Sequence, residues 1–401
     1  MDRLIYEKNI LLKELKGCFD FFNNEINLDE NSNGYGLIRD QYPSSPEICS
    51  IASVGFGLAS LITGVKNNWI SLEEANKRAH LTLKTFLNNL EEVEGFYYHF
   101  VNMNTGLREL NSEISIIDTG IFICGAITAG EFFGGEVQEL ADKLYRRINW
   151  TWFVDKNKDM FYMSYTKEKG FEGYWDVYAE QLMLYILGVG SPTHGIDKSI
   201  YYTFNRLKGN YGEYKDIIHS WFGSLFTYQY SHAFIDFRNT IDKDGINWWD
   251  NSVKATLANR QYCIDNQDRF KSFNEYSWGI TACITPNGYS GLLGAKPSSN
   301  NQNVDGTISP SGAIGSIVFT PTESITALTN YYLILDLIDK YGLKDSYNLN
   351  YNWFATESLG IDKGISMVMI QNFLNESIWN SFMKNKYVKN GMDIIGFTKV
   401  K

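Results

Sequence analysis

Apolar residues recur at helical spacing through most of the chain, in segments separated by short Gly- and Asn-rich connections. Apolar positions three and four residues apart line one face of a helix, so each segment can bury that face against a core. The spacing predicts helices over residues 1–22, 45–65, 71–93, 115–133, 136–153, 171–187, 224–237, 248–265, 322–342 and 360–383.

Local signals refine the ends of these helices and predict a few strands. Ser45 followed by Pro46 is typical of a helix start, and Ser71 with Glu74 has the spacing of a capping box. The segment 95–106 predicts a hairpin arm that turns at Asn104–Gly106, and "MFYMSYT" at 160–166 predicts a second strand. The irregular segment 284–310 is long for a plain connector, so we expect a functional loop there.

Pairs of predicted helices follow one another about every 50–70 residues without a Pro- or Ser-rich linker, which indicates one domain over residues 1–401. The residues 177–187 are apolar on every face, as expected of a helix buried on all sides. Together these features predict an all-α fold in which about a dozen paired helices close into a ring, with inner helices surrounded by outer ones.

Composition narrows the possible partners. The net charge of −10 argues against nucleic-acid binding, which needs clustered Lys and Arg. The 10 Trp, 26 Tyr and 25 Phe make up 15% of the chain. Trp and Tyr pair an apolar face with a polar edge, which suits sugar rings, although core packing alone accounts for most of them.

The cellular setting is also constrained. The first 22 residues are charged throughout and lack the apolar stretch of a signal peptide, so a cytoplasmic protein is expected. We find no run of 18 apolar residues that would span a membrane. The five cysteines are widely spaced without a CxxC pair, which predicts reduced, buried thiols. A monomer or weak oligomer is expected.

Several reaction classes lack their sequence motifs. There is no HExxH, no Cys/His cluster with zinc spacing, no P-loop, no GxGxxG after a strand and no GxSxG elbow. "DKDG" at 242–245 is half of a calcium loop without the later acidic ligand, so an exposed turn is expected. We therefore predict neither a metal nor another cofactor.

The remaining chemical candidates are carboxylates set in apolar or aromatic sequence. Burying an ionised carboxylate without a partner costs several kcal/mol, so such positions have a reason. The candidates are Asp118, Asp176, Glu180, Asp236, Asp305 and Glu323.

Each candidate also has a purely structural explanation. Asp176 and Glu323 have the placement of helix-capping or first-turn acids, and Asp236 has Arg238 nearby as an ion-pair partner. Glu180 is the hardest to explain structurally, because it lies among apolar residues past the expected first turn, on the same helix face as Asp176. Burial there would raise its pKa, as a general acid requires.

Two acids in an aromatic-lined cleft, without a metal or nucleotide site, are the groups that glycoside hydrolysis needs. The residues by themselves do not identify the sugar.

The same segments resemble a known family. "SIIDTGIFICGAITAGEFF", "YWDVYAEQLMLYILGVGSPTH", "LFTYQYSHAFIDFR", "WGITACITPNGYSG", "DGTISPSGAIGSIVFTPTESITAL" and "LGIDKGISMVMIQNF" are similar to the glucoamylase-like domain family. That family includes the endo-β-1,2-glucanases of glycoside hydrolase family 144. The resemblance covers roughly residues 30–385, in order.

This resemblance implies an (α/α)6 toroid with a few short β-hairpins, long loops and a central catalytic cleft. It implies a hydrolase of β-glucan, with β-1,2-glucan favoured, that acts with inversion. Glu180 would be the general acid, and Asp118 would position or activate the water. The residues implied to line the cleft are Arg39, Asp40, Trp175, Asp176, Tyr230, His232, Asp236, Trp278, Asp305 and Glu323.

Alternatives remain open at this point. A transglycosylase or phosphorylase would use nearly the same residues, and a non-catalytic carbohydrate-binding protein would keep the aromatic residues. A polysaccharide lyase on the same fold would need basic or Tyr/His catalytic groups. Only Arg39, Arg238 and Arg260 are cationic candidates for that role in the expected cleft segments.

Overall fold

Helices dominate the computed structural model, which describes residues 2–300 and 303–400. Its α-helices are α1 Asp2–Asn24, α2 Ile51–Lys66, α3 Leu72–Asn88, α4 Ile116–Phe133, α5 Gly135–Arg147, α6 Leu182–Gly190, α7 Tyr230–Phe234, α8 Trp248–Asp265, α9 Pro310–Ile314, α10 Pro321–Tyr331, α11 Gly360–Asn375, α12 Ser377–Phe382 and α13 Lys386–Ile395. Short 3-10 helices span Trp150–Phe153, Lys198–Tyr202, Leu225–Tyr228 and Leu335–Leu337.

The strands are short. They are β1 Gln41–Tyr42, β2 Ile48–Ser50, β3 Glu92–Val93, β4 Phe96–Tyr97, β5 Phe100–Asn102, β6 Ile114–Ser115, β7 Val154–Asp155, β8 Met160–Thr166, β9 Gly170–Tyr174, β10 Lys208–Tyr211, β11 Tyr214–Ile218, β12 Thr240–Ile241, β13 Cys283–Thr285, β14 Gly288–Ser290, β15 Ile338–Asp339, β16 Gly342–Leu343, β17 Tyr347–Asn348, β18 Trp353–Phe354, β19 Ser358–Leu359 and β20 Thr398–Lys399. Most form antiparallel pairs, and β6, β7, β8 and β9 form a four-stranded sheet.

The helices divide into two kinds by burial. In α6, α7 and α9 every residue is buried, and α2, α4 and α11 are buried along most of their length. In α3, α5 and α13 only one face is buried. The core therefore lies between completely enclosed helices and the inner faces of the amphipathic ones, as expected for layered helices.

The enclosed helices pack on one another. Helix α2 contacts both α4 and α11, and α4 also contacts α6 and α7. Glycines allow the closest of these contacts, because a Cβ on Gly125 of α4 would lie 2.1 Å from the Gly55 carbonyl oxygen of α2. A side chain at either position would force the two helices apart.

Helix α4 also corrects one expectation from the sequence. Residues Ile116–Phe133 are long and apolar enough to cross a membrane, although the search of the sequence found no such run. In the structure 78% of this helix is buried inside the protein, as is usual for a core helix.

Several other predictions are confirmed. Ser71 accepts a hydrogen bond from the Glu74 backbone N–H at the start of α3, as a capping residue does. The helix predicted over 248–265 and the strand predicted over 160–166 have the expected bounds. All five cysteines are buried and free.

Other predicted boundaries are wrong. Residues 45–50 are not helical, because Ile48–Ser50 pairs as β2 with β5 and Ser45 has a φ of 53°. Helix α2 therefore begins at Ile51. The apolar segment 322–342 contains α10 only as far as Tyr331, and the residues after it form a 3-10 turn and the β15–β16 hairpin. Strand pairing competes successfully with helix formation in both places.

Candidate active site

A cavity of about 160 Å³ lies at the N-terminal ends of α4 and α11. Three carboxyl groups line it, from Asp118, Glu180 and Asp362. Further lining comes from His99 and from aromatic and aliphatic side chains, namely Ala52, Ile117, Ile121, Phe226, Tyr230, Ala282, Tyr289 and Ile361. The cavity therefore combines clustered acids with apolar surface, which is typical of a catalytic site.

Asp118 belongs to the first turn of α4. Ser115, the residue before the helix, accepts a hydrogen bond from the Asp118 backbone N–H at 3.2 Å and donates its own hydroxyl to the Asp118 carboxylate at 2.5 Å. The helix N-terminus favours a negative charge at this position. The sequence thus orients Asp118 through a local cap, and its side chain still reaches the cavity.

Glu180 lies outside any helix, which contradicts the predicted shared helix face with Asp176. Helix α6 begins at Leu182. Before it, Val177 forms a parallel bridge with Asn205, and the Asp176 carbonyl accepts a hydrogen bond from the Asn205 N–H at 2.7 Å. Pairing with this distant segment holds residues 176–178 extended.

Two side chains fix the backbone around Glu180. The Gln181 side chain accepts from the Ala179 N–H at 2.6 Å and donates to the Val177 carbonyl at 2.9 Å. Ser231 of α7 donates to the Glu180 carbonyl at 2.5 Å and accepts from the Met183 N–H at 3.0 Å. The Glu180 main chain is therefore held in place while its side chain remains available.

The Glu180 carboxyl has few partners. Its relative exposure is 9%, and burial raises its pKa to about 7, with the negative charge of Asp118 acting in the same direction. Within residues 2–300 and 303–400, its own backbone N–H is the only donor found to favour the ionised form. A carboxyl that is protonated near neutral pH can act as a general acid.

Asp362 and Asp345 form a second buried acid pair. Burial and the neighbouring Asp345 raise the pKa of Asp362 well above its usual value. Ser311 donates to Asp362 at 3.1 Å, and Asp345 accepts from the Ile284 N–H at 2.7 Å. Because two adjacent buried carboxylates repel each other, the pair retains a proton.

His99 is placed between two carboxylates. Its Nδ1 lies 3.0 Å from Glu113 Oε1, and its Nε2 lies 3.5 Å from Asp118 Oδ1. Burial opposes the charge on the ring, but the carboxylates of Asp118, Glu113 and Asp40 outweigh it and raise the pKa of His99 to about 9. The ring is therefore an imidazolium at neutral pH.

Among the described residues, the side chains whose ligand atoms lie close enough together to surround a metal ion are those of His99, Glu113 and Asp118. A metal-binding imidazole offers an unprotonated nitrogen. Here both ring nitrogens lie close to carboxylate oxygens, so the same three side chains also form an ion-pair chain.

Tyr230, Phe226 and Tyr289 supply the aromatic surface of the cavity. Tyr289 belongs to the β13–β14 hairpin, where Ile284 pairs with Tyr289, and its side chain is 53% exposed. The segment 284–310, expected to be a functional loop, thus contributes a ring to the cavity from this hairpin.

Two predicted cleft residues, Arg39 and Asp40, have different surroundings. Asp40 is joined to the first residue of α11 by a 2.8 Å hydrogen bond from the Gly360 N–H to its carbonyl. Burial raises the pKa of the Asp40 carboxyl to about 6, and His99 opposes that shift. Arg39 instead forms an ion pair with Glu25 at 2.9 Å and lies over the ring of Tyr42.

Trp175 and Asp176 lie together near Trp221. The two indole rings are 6.0 Å apart, and the Trp221 Nε1–H donates to Asp176 at 3.2 Å. Asp176 is exposed, and it is not the helix cap that the sequence allowed. These residues can extend the site outward from Glu180, although they do not line the cavity.

The other predicted cleft residues lie elsewhere. His232 is in the core, with its Nε2 3.3 Å from the Trp248 carbonyl, and burial lowers its pKa to about 3. Asp236 is paired with Arg238 at 2.8 Å. Trp278 is completely buried, Asp305 accepts a hydrogen bond from the Thr307 N–H, and Glu323 is in the first turn of α10.

Sequence reasoning missed His99, Asp362 and Tyr289 as site residues. A signal for Asp362 was present, because "GIDKGI" at 360–365 repeats the pattern of "IIDTGI" at 116–121, with the acid in the first turn of an enclosed helix. His99 lies in a predicted strand and carries no comparable local signal.

A larger groove of about 520 Å³ lies near the C-terminal half of α4, between α5 and the start of α13. Its polar groups already bond to one another, as in the contacts of Asn385 with Glu131 and of Arg146 with Tyr387. We therefore place the candidate site at the smaller cavity, where the acids are buried together.

Comparison with known proteins identifies the family of the chain. The model of a family described as "Putative glucoamylase" matches residues 172–386, more than half of the chain. The chain belongs to this glucoamylase-like family. The predicted resemblance is thereby confirmed.

Individual relatives are more distant. An exo β-1,2-glucooligosaccharide sophorohydrolase (non-reducing end) of Parabacteroides distasonis is 26% identical over 404 residues. The alignment covers 90% of this chain but 54% of that protein, so this chain spans about half the length of its curated relative.

Solved structures share the fold over nearly the whole chain. A putative glucoamylase from Bacteroides uniformis has a TM-score of 0.87 at 27% identity and covers 98% of both chains. The endo-β-1,2-glucanase from Chitinophaga pinensis, solved with sophorotriose and glucose, has a TM-score of 0.87 at 24% identity, with 98% and 99% covered. A mostly helical glucoamylase-like fold is therefore established for this protein.

Proposed function

We propose that this protein is a glycoside hydrolase that cleaves β-1,2-linked glucan or its oligosaccharides. The observation that carries the proposal is the cavity in which Glu180, protonated near neutral pH, meets Asp118 and Asp362 beside aromatic rings. The activities of the Parabacteroides and Chitinophaga relatives, both on β-1,2-linked glucose chains, support the linkage.

In the proposed reaction Glu180 donates its proton to the glycosidic oxygen, so the departing sugar leaves as a neutral alcohol. Asp118 accepts a proton from the water that attacks the anomeric carbon from the opposite face. One water is consumed, and the anomeric configuration inverts. A general acid contributes about 10²–10⁴-fold to such a reaction.

Asp362 has a different role in this scheme. Because it shares a proton with Asp345, it can donate a hydrogen bond to a sugar hydroxyl but is already protonated and so unavailable as the general base. Tyr230 and Tyr289 offer ring faces to the C–H surface of a sugar. The cavity is smaller than ligand sites of about 300–1,000 Å³, so it would enclose the reacting sugar alone. The exposed side chain of Asp176 would contact the next sugar.

We further infer that residues 1–401 form one domain with an (α/α)6 arrangement. The support is that α2, α4, α6, α7, α9 and α11 are enclosed and that another α-helix separates each of them from the next along the chain, except between α6 and α7. The acids at the N-terminal ends of α4 and α11, and the one just before α6, would then face one mouth of the ring.

The test is product release from linear β-1,2-glucan and short β-1,2-linked oligosaccharides, followed by chromatography, with Glu180→Gln as the disabled control. We expect short β-1,2-linked products from the wild type alone. Adding phosphate should not produce sugar phosphate, and its appearance would indicate a phosphorylase. Binding without cleavage by either protein would indicate a carbohydrate-binding protein.

The role of Asp118 has its own test. Azide can replace the attacking water when the general base is removed, because it needs no deprotonation. We expect azide to restore turnover to Asp118→Asn and not to Asp362→Asn, with a glycosyl azide of inverted configuration as product. Rescue of Asp362→Asn alone would move the base role to Asp362.

A further inference from the structure

We propose that His99 is a positioning residue for Asp118, held as an imidazolium by Glu113 in a chain that runs Glu113–His99–Asp118. This inference rests on the proposed function, because it assigns a purpose to Asp118 in catalysis. The contacts among Glu113, His99 and Asp118 can be tested without any substrate.

The first support is the position of His99 in the backbone. Its N–H donates to the Glu113 carbonyl at 2.9 Å, and its carbonyl accepts from the N–H of Ile51, the first residue of α2, at 3.1 Å. Its ring is stacked on Phe100, with centroids 3.8 Å apart and an interplanar angle of 17°. Hydrogen bonds at the N–H and at the carbonyl of His99 therefore fix its backbone, and stacking on Phe100 restricts one face of its ring.

The second support is that both ring nitrogens are used. Nδ1 lies 3.0 Å from Glu113 Oε1, at hydrogen-bond distance, and Nε2 lies 3.5 Å from Asp118 Oδ1, at ion-pair distance. The other oxygen of Asp118 receives the Ser115 hydroxyl at 2.5 Å. A hydroxyl donor on one oxygen and a cationic ring beside the other orient the Asp118 group, as partners around a reacting ligand do.

The third support is charge. Of the side chains that line the cavity, His99 is the one basic group, and it shares this lining with the carboxyls of Asp118, Glu180 and Asp362. Asp40 also acts on it from the segment before β1. An opposite charge in a cavity with restricted solvent offsets part of the repulsion among these carboxyls. Its side chain is 29% exposed, so the ring is part of the cavity wall.

Glu113 secures the charge of His99. Burial raises the pKa of the Glu113 carboxyl, but the hydrogen bond and charge of His99 lower it by more. Glu113 is therefore ionised across the neutral range. A neutral group in its place would leave the ring with one fewer counter-charge, and the pKa of His99 would fall.

The experiment has two arms, with variants His99→Gln, Glu113→Gln, Asp118→Asn and, as a matched control, His80→Gln. His80 also contacts a glutamate, at 3.4 Å from Glu136, but outside the cavity. The first arm records the imidazole ¹⁵N and ¹H resonances against pH. The chain has five histidines, and His99→Gln identifies the resonance of interest.

In the first arm we expect the wild-type His99 resonance to titrate near pH 9, and its midpoint to fall in both Glu113→Gln and Asp118→Asn. A wild-type midpoint near the usual value of about 6.5 would overturn the proposal. So would an unchanged midpoint in Asp118→Asn. This arm gives its answer even if β-1,2-glucan is not the substrate.

In the second arm we expect His99→Gln to lower kcat by about 10–100-fold, the size found for partners that orient a reacting ligand. The loss in Glu113→Gln should be smaller, KM should change little in either, and His80→Gln should match the wild type. Full kcat in His99→Gln, with Asp118→Asn inactive, would overturn the positioning role. Inactivity of the wild type would instead count against the proposed function.

Discussion

Two buried glutamates of this protein have opposite surroundings. Glu14 of α1, 2% exposed, lies 3.5 Å from the Lys363 ammonium and accepts from the Tyr332 hydroxyl at 2.8 Å and the Leu343 N–H at 3.0 Å. Glu180, 9% exposed, has only its own N–H as a donor among the described residues. A structural acid is saturated with donors, whereas a reactive one is left able to exchange its proton.

The surroundings of Glu14 and the candidate site both include residues of helix α11. Lys363, the partner of Glu14, directly follows Asp362 of the cavity in the first turn of α11. One turn therefore serves stability on one face and the candidate site on the other. Activity and stability should separate cleanly when the two glutamates are changed one at a time.

The largest expected effect is on turnover in Glu180→Gln. We expect kcat to fall by about 10²–10⁴-fold, because the amide cannot donate a proton to the leaving oxygen. The melting temperature should stay the same or rise, since a buried ionisable group is replaced by a neutral one of similar shape. Kinetics checks the fall in kcat, and thermal melting checks the stability. Retained activity would rule out Glu180 as the acid.

The next effect is on stability in Glu14→Gln. Loss of the Glu14 carboxylate would leave the buried Lys363 without its ion-pair partner, and such a loss costs about 3–5 kcal/mol in other proteins. Denaturant unfolding should show this loss of free energy. The matched control is Glu30→Gln, which breaks an exposed pair with Lys77 and should unfold like the wild type. Equal stability of all three proteins would contradict the contrast drawn here.

A smaller effect concerns pH. The pKa of Glu180 is raised to about 7, so the acid is protonated below that value, and kcat/KM should fall about tenfold per unit as pH rises beyond it. The folded state binds this proton more tightly than the unfolded one, so stability should also decrease between about pH 4.5 and 7. Glu180→Gln should lack that decrease, as urea unfolding at several pH values would reveal.

The smallest effect is expected at Asp236, one of the implied cleft residues. Asp236→Asn breaks a partly exposed pair with Arg238, which also contacts Glu376 at 2.7 Å. Such pairs contribute about 0–1 kcal/mol to stability. Because Asp236 does not line the cavity, kcat should remain within about twofold. A large loss of kcat with normal folding would show that Asp236 reaches the substrate and that the site is wider than the cavity.

Much of this protein was determined by local sequence. The capping box at Ser71 and Glu74, the bounds of α8 and the cap of Asp118 by Ser115 all depend on residues within one turn of each other. The family was recognisable for the same reason, because the segments that carry it are contiguous. Glu180 and Asp118 were both predicted as catalytic residues from the sequence, and they line one cavity in the structure.

Tertiary structure alone decided the rest, because the decisive contacts join distant parts of the chain. Asn205 holds the segment before Glu180 extended, so the expected helix face does not exist. Asp345 and Asp362 share a proton across two separate segments, and Glu113 and His99 meet across a hairpin. Whether a buried carboxyl is paired or free is a property of such contacts, since pairing and desolvation depend on distance in space and not on distance along the sequence.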